Sequence, residues 1–110
     1  MWKLYLALRS DLTPGAKVAQ ACHGLRAFVA AHPELDANWH TNSNNLVVVE
    51  FSDENALRNL VTKAETKGVP FATFQEPDFD DSLTCVALGP GGDKLVSSAP
   101  LALREGKKAA

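Results

Sequence analysis

The sequence is poor in the residue types from which metal and redox sites are built. It contains two cysteines, Cys22 and Cys85, without a Cys-x-x-Cys pair, and its three histidines are scattered along the chain. Metal sites need clustered ligands, so we expect none here. Both cysteines lie in apolar stretches, which favours two buried thiols in a reducing cytosol over a disulfide. Whether the two thiols lie close together is left open by the sequence.

Long apolar runs and a positive net charge are also missing. No stretch approaches the roughly 18 apolar residues of a membrane span, and residues 1–9 do not make a signal peptide. We therefore expect a cytoplasmic protein that does not bind a membrane. Eleven Lys and Arg against thirteen Asp and Glu give a net charge of −2, so contact with nucleic acid would depend on a local patch.

The chain of 110 residues is long enough for one core and too short for two. We predict a single domain over residues 1–104 and a flexible tail at residues 105–110. Apolar and β-branched runs predict four strands, at residues 2–8, 46–51 and 70–74, and from residue 82 or 83 to 88. Helical patterns and turn formers predict helices at 14–31 and 53–67, a turn of helix at 34–39, a loop at 40–45 and an acidic loop at 75–81. This order is typical of an α/β sandwich with a small mixed sheet.

Capping residues and an apolar stripe define the two long helices. Thr13 is expected to cap the first and Ser52 the second, which Gly68 should end. Four apolar residues of the first helix predict the face that packs on the sheet: Val18, Cys22, Leu25 and Val29. Another face carries smaller and polar residues and would allow close approach of a nucleotide or a partner helix: Ala16, Gln20, His23 and Ala27. Cys22 and His23 point about 100° apart, so they do not form an activated nucleophile.

Polar residues follow the first and third predicted strands. Asp11 follows the first strand and residues 76–81 follow the third. If these strands run parallel, both segments lie at the carboxyl edge of the sheet, where open α/β sheets bind ligands. Lys17, Gln20 and His23 could line the same cleft. The alternatives are a turn cap, a solvated hairpin, a surface lysine and a packed helix contact, and spacing does not choose among them.

Two segments at the start of the chain resemble a known family signature. Residues 9–12 read RSDL and residues 14–23 read PGAKVAQACH, and the match continues in LVVV at 46–49 and TCVALGP at 84–90. This pattern is similar to that of the type II peptidyl-tRNA hydrolases, and most similar to their divergent branch, the peptidyl-tRNA hydrolase domain-containing proteins. The resemblance covers residues 4 to about 103.

The resemblance implies a fold and an activity. The expected fold is a three-layer α/β/α sandwich around a four-stranded mixed sheet, often as a homodimer. The expected reaction is hydrolysis of the ester between a peptide and the 3′ end of tRNA, without a metal or cofactor. Such a reaction needs an oriented water, stabilisation of the developing oxyanion and a proton for the leaving ribose hydroxyl.

The resemblance also implies site residues, with two departures from the family pattern. Ala16 stands where the family has a lysine, with Lys17 beside it, and the family's acidic segment is shortened to residues 76–78. The expected catalytic residues are Lys17, Glu76, Asp78 and Thr84. The expected substrate-binding residues are Arg9, Asp11, Gln20 and His23.

Three functions are compatible with these residues. The first is a peptidyl-tRNA hydrolase in which Glu76 or Asp78 orients water, Lys17 and His23 contact phosphate or the oxyanion, and Thr84 holds the substrate. The second, favoured by Ala16 and the acidic net charge, is a module that binds tRNA or protein and has lost hydrolysis. An amide hydrolase with another substrate is the third. Phosphate contacts would come from one basic patch: Arg9, Lys17, Arg26, Lys94 and Arg104.

Overall fold

The computed structural model describes residues 1–104. In these residues the elements follow the order β1 (Leu4–Arg9), α1 (Pro14–Ala31), α2 (Pro33–Asn42), β2 (Leu46–Phe51), α3 (Glu54–Lys67), β3 (Phe71–Glu76) and β4 (Ser82–Leu88). Single turns of 3-10 helix follow β3 and β4, at Pro77–Phe79 and Gly92–Lys94. The predicted tail at residues 105–110 lies outside the described residues. Residues 1–104 contain no helix with the length and apolar character needed to cross a membrane.

The four strands form one mixed sheet in the order β2-β1-β4-β3. β1 is parallel to β2 and antiparallel to β4, and β4 is antiparallel to β3. β1, β2 and β3 therefore run in the same direction, and their carboxyl ends share one edge of the sheet. β1 lies inside the sheet, as its apolar run predicts, with Leu4, Leu6 and Leu8 buried.

Helices cover both faces of the sheet, which confirms the three-layer α/β/α architecture. α1 packs on one face with α2 beside it, and its side of the core contains Leu6, Leu8 and Phe28. α3 packs on the other face, over a core that contains Leu57 and Val86. The apolar stripe of α3 buries Leu57, Leu60 and Ala64, and the helix ends at Gly68, as expected, in the left-handed conformation (φ 70°).

The face of α1 that meets the sheet is not the predicted one. Its buried residues are Lys17, Gln20, Gly24 and Phe28. Val18 is 55% exposed and Cys22 is exposed, so the predictions that they pack on the sheet are wrong. Close approach explains the difference: a Cβ at position 24 would overlap Sγ of Cys85 and lie 3.0 Å from its Cβ. The predicted burial of Cys85 is confirmed, and both thiols are free.

Several predicted boundaries also shift. α2 continues to Asn42 through residues predicted as a loop, and ends where the Trp39 carbonyl accepts the N–H groups of residues 43 and 44. Asp53, not Ser52, caps α3, because its carboxylate accepts the Ala56 N–H at 2.9 Å. β1 begins at Leu4, two residues later than predicted. β3 extends two residues beyond its predicted end, as far as Glu76, which pairs with β4.

A short segment at residues 100–102 covers the outer edge of β2. The Glu50 N–H donates to the Pro100 carbonyl and the Ala102 N–H donates to the Val48 carbonyl, each at 2.9 Å. Leu101 lies opposite Val49 in an antiparallel bridge. These contacts satisfy polar backbone groups that an edge strand otherwise leaves open.

Candidate active site

The carboxyl edge of the sheet brings together segments that lie far apart in the sequence. β1 and β3 are both antiparallel to β4, so they run parallel to each other, and the condition for a shared cleft is met. Asp11 follows β1 at this edge, and Glu76 is the last residue of β3. The two faces of the edge carry different sets of residues.

A β-bulge in β4 sets the direction of Thr84. Phe74 pairs with Cys85 and Gln75 pairs with Leu83, so Thr84 is an extra residue between the two pairs. Leu83 packs on the α3 side and Cys85 on the α1 side. The extra residue allows Thr84 to share the face of Cys85, and its hydroxyl reaches Gln20 on α1.

Gln20 connects Thr84 to Glu76 through two short hydrogen bonds. The Thr84 hydroxyl donates to Gln20 Oε1 at 2.6 Å, and Gln20 Nε2 donates to Glu76 Oε1 at 2.8 Å. Because an ionised carboxylate only accepts hydrogen bonds, the amide must present its NH₂ group to Glu76 and its oxygen to the threonine. Thr84 and Gln20 are buried, whereas 12% of the Glu76 side chain reaches solvent. Of the three side chains, the Glu76 carboxylate is therefore the one that solvent reaches.

The groups around Glu76 keep its carboxylate charged. The hydrogen bond from Gln20 is the main cause that lowers the pKa of the Glu76 carboxyl below its ordinary value, followed by the Asp78 N–H and the nearby His23. The Asp78 N–H donates to Oε2 at 3.1 Å, so each carboxylate oxygen has one donor. Asp78 thus contacts Glu76 through its backbone, and its side chain is exposed. At neutral pH the site presents an oriented anion.

His23 lies beside this anion, as the shared helix face predicts. Its ring stacks on Phe74 of β3, with centroids 4.4 Å apart and planes 15° apart. Nε2 lies 3.9 Å from Glu76 Oε1, and 48% of the side chain is exposed. The imidazole can therefore exchange protons with solvent next to Glu76, and it makes an ion pair there when protonated.

Lys17 is buried and belongs to a different pair. Its Nζ lies 3.0 Å from Glu50 Oε2, with 11% of the lysine and 13% of the glutamate side chain exposed. The same oxygen accepts the Leu103 N–H at 2.9 Å. Glu50 lies on β2, which is the edge strand at the other end of the sheet from β3. Lys17 is therefore paired with Glu50 and not with Glu76. Glu50 was not among the predicted site residues, although a charged residue inside the apolar run of β2 was a visible signal.

Arg9 and Asp11 hold each other at the edge. Two Arg9 nitrogens donate to the two Asp11 oxygens, each at 3.0 Å, and a third donates to Ser82 Oγ at 3.0 Å. This bidentate hydrogen bonding is the main cause that lowers the pKa of Asp11 and raises that of Arg9. Arg9 also borders a cleft of about 500 Å³ on the α3 side of the edge, together with Leu12 and Phe79. The hydrogen bonds of these two predicted substrate-binding residues therefore do not join them to the Glu76 network.

Metal ligation finds no support in the side chains that the structure describes. Within residues 1–104, no three His, Cys, Asp or Glu side chains lie close enough to share an ion. The expectation that the chemistry uses neither metal nor cofactor stays a prediction.

Comparison with known proteins settles the family. The model of the family Peptidyl-tRNA hydrolase PTH2 matches residues 2–104. The chain belongs to the PTH2 family. This confirms the resemblance inferred from the signature around α1.

Relatives of this PTH2 chain include archaeal and mammalian proteins. A peptidyl-tRNA hydrolase of Thermococcus onnurineus is 30% identical over 107 residues, covering 86% of this chain and 89% of the relative. PTRHD1 of Mus musculus, from the divergent branch, is 33% identical over 104 residues, and the match covers 84% of this chain and 74% of the relative. Among solved structures, a protein of unknown function from Agrobacterium tumefaciens C58 shares the fold at a TM-score of 0.67. It is 18% identical and the match covers 91% of this chain and 96% of that one.

Proposed function

We propose that this PTH2-family protein hydrolyses the ester that joins a peptide to the 3′ end of tRNA, with Glu76 as the residue that orients the attacking water. The observation that carries the proposal is the chain of hydrogen bonds from Thr84 through Gln20 to Glu76. It fixes an anion at the carboxyl edge of the sheet, in a family named for this reaction.

The reaction requires one bond to form and one to break. The water oxygen bonds to the ester carbonyl carbon, and the bond from that carbon to the ribose oxygen breaks. Glu76 accepts a hydrogen bond from the water and draws its proton as the new bond forms. The departing ribose oxygen takes a proton, for which His23, 3.9 Å from Glu76 and half exposed, is the neighbouring donor.

Thr84 and Gln20 act through Glu76 in this scheme. Both are buried, and their hydrogen bonds fix the direction of the carboxylate. Positioning of this kind is effective because small displacements of a reacting group are costly in rate. The expected catalytic roles of Lys17 and Asp78, and the expected contacts of Arg9 and Asp11 with substrate, stay predictions. The homodimer and the cytoplasmic location also stay predictions.

The binding module without activity is the less favoured candidate. Ala16 is the feature that suggested it, but the 30% identical relative from Thermococcus onnurineus carries the name peptidyl-tRNA hydrolase. The intact Glu76 network also favours an enzyme, because a module that only binds has no need of an oriented, surface-reaching carboxylate.

The direct test is release of the blocked amino acid from N-acetylated aminoacyl-tRNA by the purified protein. We expect turnover by the wild type and a loss of about 100-fold or more in kcat/KM for Glu76→Gln, since general acid–base groups contribute at least this much. Glu65→Gln, an exposed glutamate on α3, is the matched control and should retain wild-type activity. Absence of turnover by the wild type at high enzyme concentration, with an active family member as reference, would overturn the proposal.

A further inference from the structure

We propose that Glu54, the first residue of α3, is a positioning residue for the active site: from the opposite face of the sheet it holds the bulge that directs Thr84 towards Gln20. The inference rests on the proposed function, because it assigns Glu54 a part in placing Glu76. It adds a residue outside the predicted site, on the other helical layer.

On the side that faces β1, the start of β4 is held by side chains rather than by strand pairing. Pairing between β1 and β4 ends at Leu8 and Cys85, so Leu83 lies beyond the last pair. The Leu83 N–H donates instead to Glu54 Oε2 at 3.0 Å. One residue earlier, the Ser82 hydroxyl oxygen accepts from Arg9 at 3.0 Å. The backbone immediately before the bulge is thus fixed from the α3 side.

Glu54 is itself well fixed. The same Oε2 atom accepts from Arg58 Nε at 3.1 Å and from Nη2 at 2.6 Å. The hydrogen bond from Leu83 is the main cause that lowers the pKa of the Glu54 carboxyl, with the Arg58 bond second. The charged carboxylate accepts the Leu83 amide directly, and this bond restricts movement at the start of β4.

The bulge transmits this restraint to the other face. Side-chain direction in a strand changes with a one-residue change of register. If the residues before Thr84 move and the bulge is lost, the Thr84 hydroxyl turns away from Gln20. Gln20 Oε1 then loses its donor at 2.6 Å, and the Gln20 side chain is no longer held from the Thr84 end where Nε2 donates to Glu76.

A purely local role for Glu54 is the competing explanation. An acidic residue in the first turn of a helix also stabilises that helix through its dipole. Such a role would change the stability of α3 but leave the titration of Glu76 unaltered. The two explanations therefore differ in what happens on the α1 side of the sheet.

The experiment compares Glu54→Ala with Arg58→Gln in the full chain. Arg58→Gln removes the same ion pair from its other end but leaves the Glu54 carboxylate on the Leu83 amide. We expect Glu54→Ala to lower kcat about tenfold with KM within about twofold, as displacement of a reacting group does. The pKa of Glu76, followed by carboxyl ¹³C NMR, should rise in Glu54→Ala and stay at the wild-type value in Arg58→Gln.

The NMR titration separates this inference from the proposed function. It reads the Glu76 pKa even if the wild type has no hydrolase activity, an outcome that would overturn only the function. An unchanged Glu76 pKa and an unchanged Thr84 amide shift in Glu54→Ala would overturn the positioning role. If Glu54→Ala does not fold, Glu54→Gln, which keeps one acceptor oxygen, replaces it with the same expected direction and a smaller shift.

Discussion

Glu76 combines a fixed direction with a low proton affinity. Each of its oxygens accepts one hydrogen bond, from Gln20 and from the Asp78 amide, and both bonds favour the charged form. A carboxylate with a lowered pKa is a weak base, so in the proposed reaction Glu76 first orients the water and takes its proton only as the new bond forms. The arrangement therefore favours alignment over basicity.

Gln20→Leu tests this residue by changing the pH dependence. With Gln20 present, the pKa of Glu76 lies below its ordinary value of 4.5, so the active carboxylate persists down to pH values below 4.5. Stability depends on pH in the same direction. At pH values above 4.5 the lowered pKa of Glu76 stabilises the native state, and this stabilisation is lost as the pH falls through the folded-state pKa. We expect Gln20→Leu to shift the acidic limb of the kcat/KM profile to higher pH, in a profile measured from pH 3.5 to 7.5.

Gln75→Leu is the matched control for that profile. Gln75 lies next to Glu76 but hydrogen-bonds to the Asp81 carbonyl at 3.2 Å and is exposed. Its removal should leave the acidic limb in place. An identical limb in wild type and Gln20→Leu would show that the glutamine does not control Glu76.

Substitutions in the Lys17–Glu50 pair distinguish a structural role of Lys17 from a catalytic one. Lys17→Met leaves Glu50 nearly buried without its counter-ion, and we expect a loss of about 3 kcal/mol in the free energy of unfolding. Lys17→Met/Glu50→Leu removes both charges and should recover most of that stability, measured by urea denaturation. Hydrolysis by the double variant then decides the role. Wild-type kcat would limit Lys17 to structure, whereas a stable but inactive double variant would support its predicted place in catalysis.

At the scale of the element, α1 shows what local pattern can and cannot predict. Its start at Pro14 and its end at Ala31 agree with the capping signals. Its buried face differs from the prediction. The apolar pattern predicts that Val18 and Cys22 pack on the sheet, whereas Lys17 and Gln20 are the residues that do so. The partners of these polar residues come from three different strands, and no pattern within α1 reveals them.

Gly24→Ala tests the close approach of α1 to β4. The added methyl group would overlap Cys85 Sγ, so the helix must move away from the sheet. Overpacking of this kind costs about 1–3 kcal/mol, which exceeds the gain of about 1 kcal/mol from alanine in a helix. We expect lower stability in urea denaturation for Gly24→Ala.

A double variant checks the cause of that loss. Cys85→Ala removes the sulfur, so Gly24→Ala in that background should cost clearly less than in the wild type. Equal costs in both backgrounds would exclude the contact with Cys85 as the reason.

The bulge in β4 explains why the site was only partly predictable. Residues 82–88 form one uninterrupted strand pattern, and the prediction of a strand from residue 82 or 83 to 88 is confirmed. Nothing in that pattern shows that Thr84 is unpaired, because a bulge arises from the register of two strands. The family resemblance identified Thr84, Gln20 and Glu76 as site residues, but not that they are linked to one another.

At the scale of the whole molecule, charge pairing reduces the predicted tRNA patch. Arg9 is bound to Asp11 and Lys17 to Glu50, so two of its five cations are neutralised by carboxylates. The remaining three are Arg26, Lys94 and Arg104. The net charge of −2 adds no general attraction for phosphate.

We therefore expect tRNA binding with a shallow salt dependence. Each contact with a single-stranded phosphate contributes about −0.7 to the slope of log K against log salt, so three cations give a slope no steeper than about −2. Fluorescence anisotropy of labelled tRNA with Glu76→Gln, at 50 to 300 mM KCl, measures it without turnover. A slope much steeper than this value would show that cations other than these three also contact phosphate.

The place of β4 in the sheet affects how the chain folds during its synthesis. β4 is the last strand of the sheet to be made, yet it lies between β1 and β3, which both pair with it rather than with each other. Until Leu88 leaves the ribosome, both strands present open edges that can recruit other chains. The nascent chain is thus most prone to aggregate after β3 has been made and before β4 has left the ribosome.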